Sequence, residues 1–299
     1  MEKLHLPIAV NCFTKGLDIK VLRWAFSRKI IQSKELQEIQ VQKINYFAGY
    51  LFPQISEQRL AWIMKCFLWL FLVDDLQERV SEEEFRSFIA SLSFLEKGNG
   101  GFSEDPMVAA WRELRTEMSA TYQADWLAKW DAYWASFLEG QLWEKANKSA
   151  EKVPELMQYR AYRPYLSGVF FAFQLLKGEY NPLPTCESKE LEYKIARWIC
   201  LGNDLISAVK ELQSNDCHNE VILMALHSGA NLLTVKNYLE SEQERLGREI
   251  NRLSLELSTQ APACHQWLEG LNLLMGGCVF WSDEVTLRYG SHLNGVAKT

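Results

Sequence analysis

Long runs of helical spacing, broken at few places, constrain this chain more than any other feature. Leu60, Ile63, Met64, Phe67, Leu68 and Phe71 recur at intervals of three and four, as do Leu232, Val235 and Leu239 and, after a polar stretch, Leu246 and Ile250. Strict two-residue alternation is rare. The 299 residues include only 16 glycines and 8 prolines, too few for a turn-rich β-sandwich or barrel. They cluster at Pro53, 98–101, Pro106, Pro154, 178–184 and 276–277. No internal repeat or low-complexity linker divides the chain. The pattern predicts an all-α fold of about ten helices in one domain covering residues 1–299. Hydrophobic residues make up 48 %, enough for a large core, and the 23 % charged residues argue against disorder.

Several boundaries have local causes. Ser81 precedes Glu82, Glu83 and Glu84, a capping-box pattern with anions at a helix start. Pro154 and Glu155 suit another start. Gly168 interrupts an otherwise helical run over 155–177. Glycine costs about 1 kcal/mol relative to alanine in a helix interior, so a break is expected there. The stretch 181–184 ends that run, and a new helix is expected from about Ser188 to Asn215.

Composition also narrows the function classes. The formal charge is −6 and no Lys/Arg cluster is present, which disfavours nucleic-acid binding. The most apolar run, residues 63–73, contains Lys65 and is far short of the ~20 residues that span a bilayer, so no stable membrane insertion is expected. The first residues lack a charged segment followed by a long apolar one, and the seven cysteines show no C-x-x-C spacing. These features predict a cytoplasmic protein with free thiols. The five histidines form no convincing Ser/His/Asp or Cys/His set.

Two clusters carry chemistry. The first is Asp74-Asp75-Leu76-Gln77-Glu78, directly after the most apolar helix. Asp74 and Glu78 are four apart and Asp75 and Glu78 three apart, so their carboxylates share one side of a helix. Such crowding suits a hard cation such as Mg²⁺, which takes oxygen ligands. A solvated acidic helix end reads the same way, and D-D-x-x-[DE] arises by chance in about one chain in ten. The second is Asn203-Asp204-Leu205-Ile206-Ser207-Ala208-Val209-Lys210-Glu211. Asn203, Ser207 and Glu211 drift only about 80° over roughly 12 Å of helix, forming a stripe of amide, hydroxyl and carboxylate oxygens. Lys210 adds a mobile cation beside it. That pattern arises by chance in about two chains in ten thousand. Near the C-terminus, Arg288-Tyr289 follows Trp281.

The ordered set DDLQE, NDLISAVKE and RY resembles the class I terpene synthases, especially the single-domain microbial cyclases. The resemblance covers essentially the whole chain. It implies an α-helical bundle with a central apolar active-site cavity, open where the metal motifs face each other. By this likeness Asp74 is a metal-binding aspartate, with Asp75 and Glu78 as further acidic ligands. Asn203, Ser207 and Glu211 form the second metal set. Lys210, Arg288 and Tyr289 are implied to bond the substrate diphosphate. The segment YRAYRPYLSG resembles the family's helix break with its arginine, for which Arg163 is the better candidate and Arg160 the alternative. Pro164 stands where many members carry a second basic residue. Trp281 lies seven residues before Arg288, where the family commonly spaces them by six. Phe71, one turn before the aspartates, is expected to line the cavity. Phe47, Phe67 and Trp281 are weighed evenly between cavity and core, in a chain holding 11 Trp, 11 Tyr and 15 Phe.

The implied reaction is ionisation and cyclisation of a linear prenyl diphosphate by an enzyme using Mg²⁺, with three ions implied and Mn²⁺ as a substitute. Farnesyl diphosphate is the expected substrate, giving a sesquiterpene. Geranylgeranyl diphosphate, as in a diterpene synthase, comes second and geranyl diphosphate third. A trans-prenyltransferase resembles a chain with two D-D-x-x-D motifs, whereas this one carries a single acidic motif. A non-catalytic helical scaffold would keep both motifs without use. Monomer and homodimer are both compatible with the sequence.

Overall fold

Why this chain is helical is visible in how it buries its aromatics. The structure, a computed structural model, describes residues 6–96, 105–180 and 186–289, and these hold helices and no strand. The helices gather into two compact units, residues 10–152 and residues 153–299 with the first nine residues.

The first unit is built on α4 (Glu57–Arg79), against which α1 (Thr14–Ser27), α3 (Tyr46–Leu51), α6 (Pro106–Thr121) and α7 (Ala124–Ser149) pack. The unit is completed by α2 (Ser33–Gln42) and α5 (Glu82–Glu96). Apolar residues surround α4 rather than lining one stripe, as a helix enclosed by others requires. Trp69 of α4 meets Trp111 of α6 at 4.6 Å, and Trp111 stacks on Trp134 of α7 at 4.0 Å. Each such ring pair contributes about 0.5–1.5 kcal/mol beyond area burial. The Ser81 capping box forms as expected. Glu84 accepts from the Ser81 N–H at 2.8 Å and from its hydroxyl at 2.7 Å, and the Glu84 N–H donates to Ser81 Oγ at 3.2 Å.

In the second unit the predicted break occurs where the sequence places it. α8 (Leu156–Leu166) stops and α9 (Val169–Tyr180) begins across Gly168, whose φ of 73° lies in the left-handed region that favours glycine. The helix expected over 188–215 is α10 (Cys186–Gln213). It packs along α12 (Leu232–Gln260), with α11 (Glu220–Ser228) and α13 (His265–Phe280) beside it. Pro154 stands just outside α8, whose cap is Glu155. The helices number thirteen among the described residues, more than the sequence reading, and they include short pieces such as the six-residue α3 and the nine-residue α11. No described helix is long and apolar enough to cross a membrane. Cys12, Cys66, Cys200, Cys217, Cys264 and Cys278 are free thiols.

Candidate metal and diphosphate site

The acidic motif occupies the last turns of α4. Asp74 and Asp75 are half-buried and Glu78 is exposed. One turn earlier, Phe71 and Asp75 line a cleft against α2 together with Leu68, Leu72 and Arg79. Phe47 of α3 lies edge-on to both Phe67 and Phe71, with centroids 5.6 Å apart in each case. Phe67 is buried, whereas Phe47 and Phe71 keep part of their surface open. The three rings therefore form one interlocked cluster below the carboxylates.

In the second unit, α10 presents its stripe against α8, α11 and the chain after α13. Arg163 of α8 donates from Nε to Asp204 Oδ1 at 2.9 Å and from Nη2 to the same oxygen at 2.8 Å. Its Nη2 also donates to Asn203 Oδ1 at 2.7 Å. Arg160 instead joins Arg197 in pairing with the buried Glu220. The structure thus separates the two arginine candidates: Arg163 reaches the stripe and Arg160 is committed elsewhere.

Ser207 is fully buried, and Glu211 beside it is pushed up to about 7 by burial and then by the neighbouring Asp204 charge. Arg163 and hydrogen bonds from Asn219 and Ser207 oppose that rise. Asp204 is itself raised by burial, against the pull of Arg163 and of the Tyr159 hydroxyl, which donates to Oδ2 at 2.7 Å. Arg163 is raised well above the usual guanidinium range, because Asp204 and its other neighbours outweigh burial.

The C-terminal pair closes on the same stripe. Tyr289 shares a hydrogen bond with Asn203, and burial raises its phenol. Lys210 Nζ lies 5.9 Å from the Tyr289 ring centre, and Trp281 meets that ring edge-on at 6.2 Å. Arg288 acts electrostatically on Tyr289, and its N–H donates to Thr286 Oγ1 at 3.1 Å. Trp281 is buried at the start of a π-helical turn, Trp281–Val285, closed by Thr286 N–H to Trp281 O at 2.9 Å. A π turn accommodates one more residue than an α turn, which matches the seven-residue spacing from Trp281 to Arg288.

Three residues of this site escaped the sequence reading, Tyr159, Asn219 and Glu220, and a fourth, Asp204, stands in the second motif without an assigned role there. Asn219 caps α11, accepting from the Val221 and Ile222 N–H groups at 2.8 and 3.4 Å. The same amide donates to Glu211 Oε2 at 2.7 Å and to Ser207 Oγ at 3.3 Å. An asparagine ahead of the apolar run VILMAL signals the cap, but nothing in the pattern signals its second role.

The donor sets suit a hard divalent cation. Asn203, Ser207 and Glu211 offer amide, hydroxyl and carboxylate oxygens, and burial leaves the Glu211 charge short of a counter-ion. Asp74, Asp75 and Glu78 offer carboxylates alone.

Comparison with known proteins agrees with this chemistry. The description "terpene synthase family 2, C-terminal metal binding" matches residues 65–246. Pristinol synthase of Streptomyces pristinaespiralis is 21% identical over 315 aligned positions, covering 96% of this chain and 84% of that protein. The 4-epi-cubebol synthase ((2E,6E)-farnesyl diphosphate cyclizing) of Streptosporangium roseum is 23% identical over 300 positions, covering 92% and 88%. The solved linalool/nerolidol synthase of Streptomyces clavuligerus shares the fold at a TM-score of 0.82, with 16% identity over 94% of this chain and all of that one. The family match spans more than half the sequence, and the chain belongs to terpene synthase family 2, as a class I enzyme of the microbial type.

Proposed function

We propose that this enzyme uses Mg²⁺ to ionise and cyclise farnesyl diphosphate to a sesquiterpene, with the whole chain, 1–299, serving as one catalytic domain. The observation that carries the reading is the α10 stripe, around which Arg163, Lys210, Arg288 and Tyr289 gather. The farnesyl chain length is supported by the 4-epi-cubebol synthase, whose name states that substrate. Asp74, Asp75 and Glu78, and separately Asn203, Ser207 and Glu211, hold the metal, three ions in total, with Mn²⁺ as a substitute. When bound, the divalent ions supply positive charge that offsets the leaving diphosphate.

The chain's own groups do the rest. Arg163, Lys210 and Arg288 bring cations and Tyr289 a hydroxyl donor to the diphosphate oxygens, stabilising charge as the allylic C–O bond breaks. The departing electron pair stays on the diphosphate, and the carbon chain becomes an allylic cation. Phe47, Phe67, Phe71 and Trp281 offer aromatic surface without a nucleophile, so the cation cyclises before a proton is lost or water is captured. The enzyme acts in the cytoplasm as a monomer or homodimer.

The direct test incubates purified protein and Mg²⁺ with geranyl, farnesyl and geranylgeranyl diphosphate separately, and identifies products by gas chromatography–mass spectrometry. A fifteen-carbon cyclic product from farnesyl diphosphate is expected. Turnover confined to geranylgeranyl diphosphate would replace this reading with a diterpene synthase, and chain elongation would replace it with a prenyltransferase.

Phe71 provides a second test. A ring face near a cation contributes about 0.5–2 kcal/mol. Phe71→Leu keeps apolar surface but removes that attraction. Turnover is expected to drop several-fold, with a rise in acyclic and monocyclic products, while Phe71→Tyr stays near wild type. A lowered melting temperature with an unchanged product ratio would make Phe71 a packing residue only.

A further inference from the structure

The acidic motif stands at the end of α4, where a helix runs out of its own hydrogen bonds. The Val80 N–H still donates to Leu76 O at 3.2 Å. The next donor, Ser81 N–H, turns instead to the Glu84 carboxylate at 2.8 Å. Gln77, which lies between Asp75 and Glu78, therefore has a carbonyl without its usual partner four residues on.

A buried lysine takes that place. Lys145 of α7 is only 8 % exposed, and its Nζ donates to Gln77 O at 2.7 Å and to Val80 O at 2.6 Å. One turn earlier on α7, Gln141 holds the Gln77 side chain. Gln77 Nε2 donates to Gln141 Oε1 at 2.8 Å and to the Gln141 carbonyl at 3.2 Å, and both glutamines are buried. Lysine is rarely buried, and a buried ammonium needs compensation. Here the compensation is two carbonyl oxygens and the negative end of the α4 dipole, with the Glu84 carboxylate acting on the ammonium electrostatically. Residue 77 is thus pinned by its side chain and its backbone, in the middle of the acidic motif.

We propose that Lys145, through Gln77, is a positioning residue for Asp74, Asp75 and Glu78, holding the terminal turn of α4 in the form that binds metal. This rests on the reading of those carboxylates as metal donors. An apolar residue at 145 would leave the turn free to fray, and carboxylates on a frayed turn bind Mg²⁺ more weakly.

Two measurements test it on the whole 299-residue chain. Hydrogen–deuterium exchange follows the amides of 76–80. The Mg²⁺ midpoint for stabilisation by inorganic diphosphate, read as melting temperature, follows the metal. In Lys145→Met, exchange at 76–80 is expected to quicken about tenfold or more while α10 amides are unchanged, and the Mg²⁺ midpoint is expected to rise about tenfold. Lys145→Arg, which retains charge and donors, should restore most of both. If the methionine variant fails to fold, Lys145→Gln is measured in the same way, with the same expectation. Asp74→Asn is the control for the metal reading and should raise the midpoint on its own. Unchanged exchange at 76–80 overturns the clamp. Faster exchange with an unchanged midpoint, while Asp74→Asn shifts it, overturns the positioning role. An unshifted midpoint in Asp74→Asn removes the metal reading itself, and the proposal with it.

Discussion

Glu211→Gln is expected to lower turnover of farnesyl diphosphate by two orders of magnitude or more with the helical fold intact. A hundredfold loss corresponds to about 2.7 kcal/mol of transition-state stabilisation. The substitution keeps the shape of the side chain and an oxygen to accept from Asn219, but removes the charge that offsets a bound cation. Stability should move the other way. Burial and Asp204 raise the folded Glu211 to about 7 from an ordinary value of 4.5, so the metal-free native state holds this proton more tightly than the unfolded chain. Its stability therefore falls as pH rises through that window, by on the order of 3 kcal/mol from this group. The glutamine variant escapes that loss. Its metal-free melting temperature should match wild type near pH 5 and equal or exceed it at pH 8. Mg²⁺ should stabilise the wild type more at pH 8 than at pH 6, because protons compete for the same carboxylate, and should stabilise the variant little at either. Near-normal turnover with normal metal dependence would remove Glu211 from the metal site.

What the sequence reveals and what it hides differ in kind. Asn203, Ser207 and Glu211 are legible because helical geometry turns a spacing of four into a shared face, whatever surrounds the helix. The break at Gly168 is legible because glycine costs about 1 kcal/mol relative to alanine inside a helix, and the positive φ found there is one that glycine adopts readily. Lys145 and Tyr159 are not legible, since each matters through a partner far away in sequence, and Asn219 is not because its bonds to Ser207 and Glu211 run across the turn between α10 and α11. Tyr159 meets Asp204 forty-five positions on, and Lys145 meets Gln77 sixty-eight positions back. Asp204 lies inside the recognised motif, yet only burial shows that its charge sets both Arg163 and Glu211. The preference for Arg163 over Arg160 gains its physical reason from Glu220, which stands beyond the end of the motif and draws Arg160 away.

Arg163→Lys is expected to reduce turnover by about one to two orders of magnitude, although charge is conserved. The guanidinium makes three hydrogen bonds at once, two to Asp204 and one to Asn203, and a single ammonium cannot reproduce that fork. Arg163→Ala should be worse for folding. It leaves Asp204, only 1 % exposed, with the Tyr159 hydroxyl and the Glu220 N–H but no directly bonded cation, Arg197 acting on it only electrostatically. Breaking a buried pair in this way costs about 3–5 kcal/mol. The double variant Arg163→Ala with Asp204→Asn separates structure from chemistry, because the neutral amide needs no counter-ion. If Arg163 also binds the diphosphate, the double variant should regain most of the lost melting temperature and stay at least about tenfold below wild type in turnover. If Arg163 serves only to neutralise Asp204, turnover should return together with stability. Recovery of both would take Arg163 out of the proposed diphosphate site and leave Lys210 and Arg288 as its cations, with Tyr289 as a neutral donor.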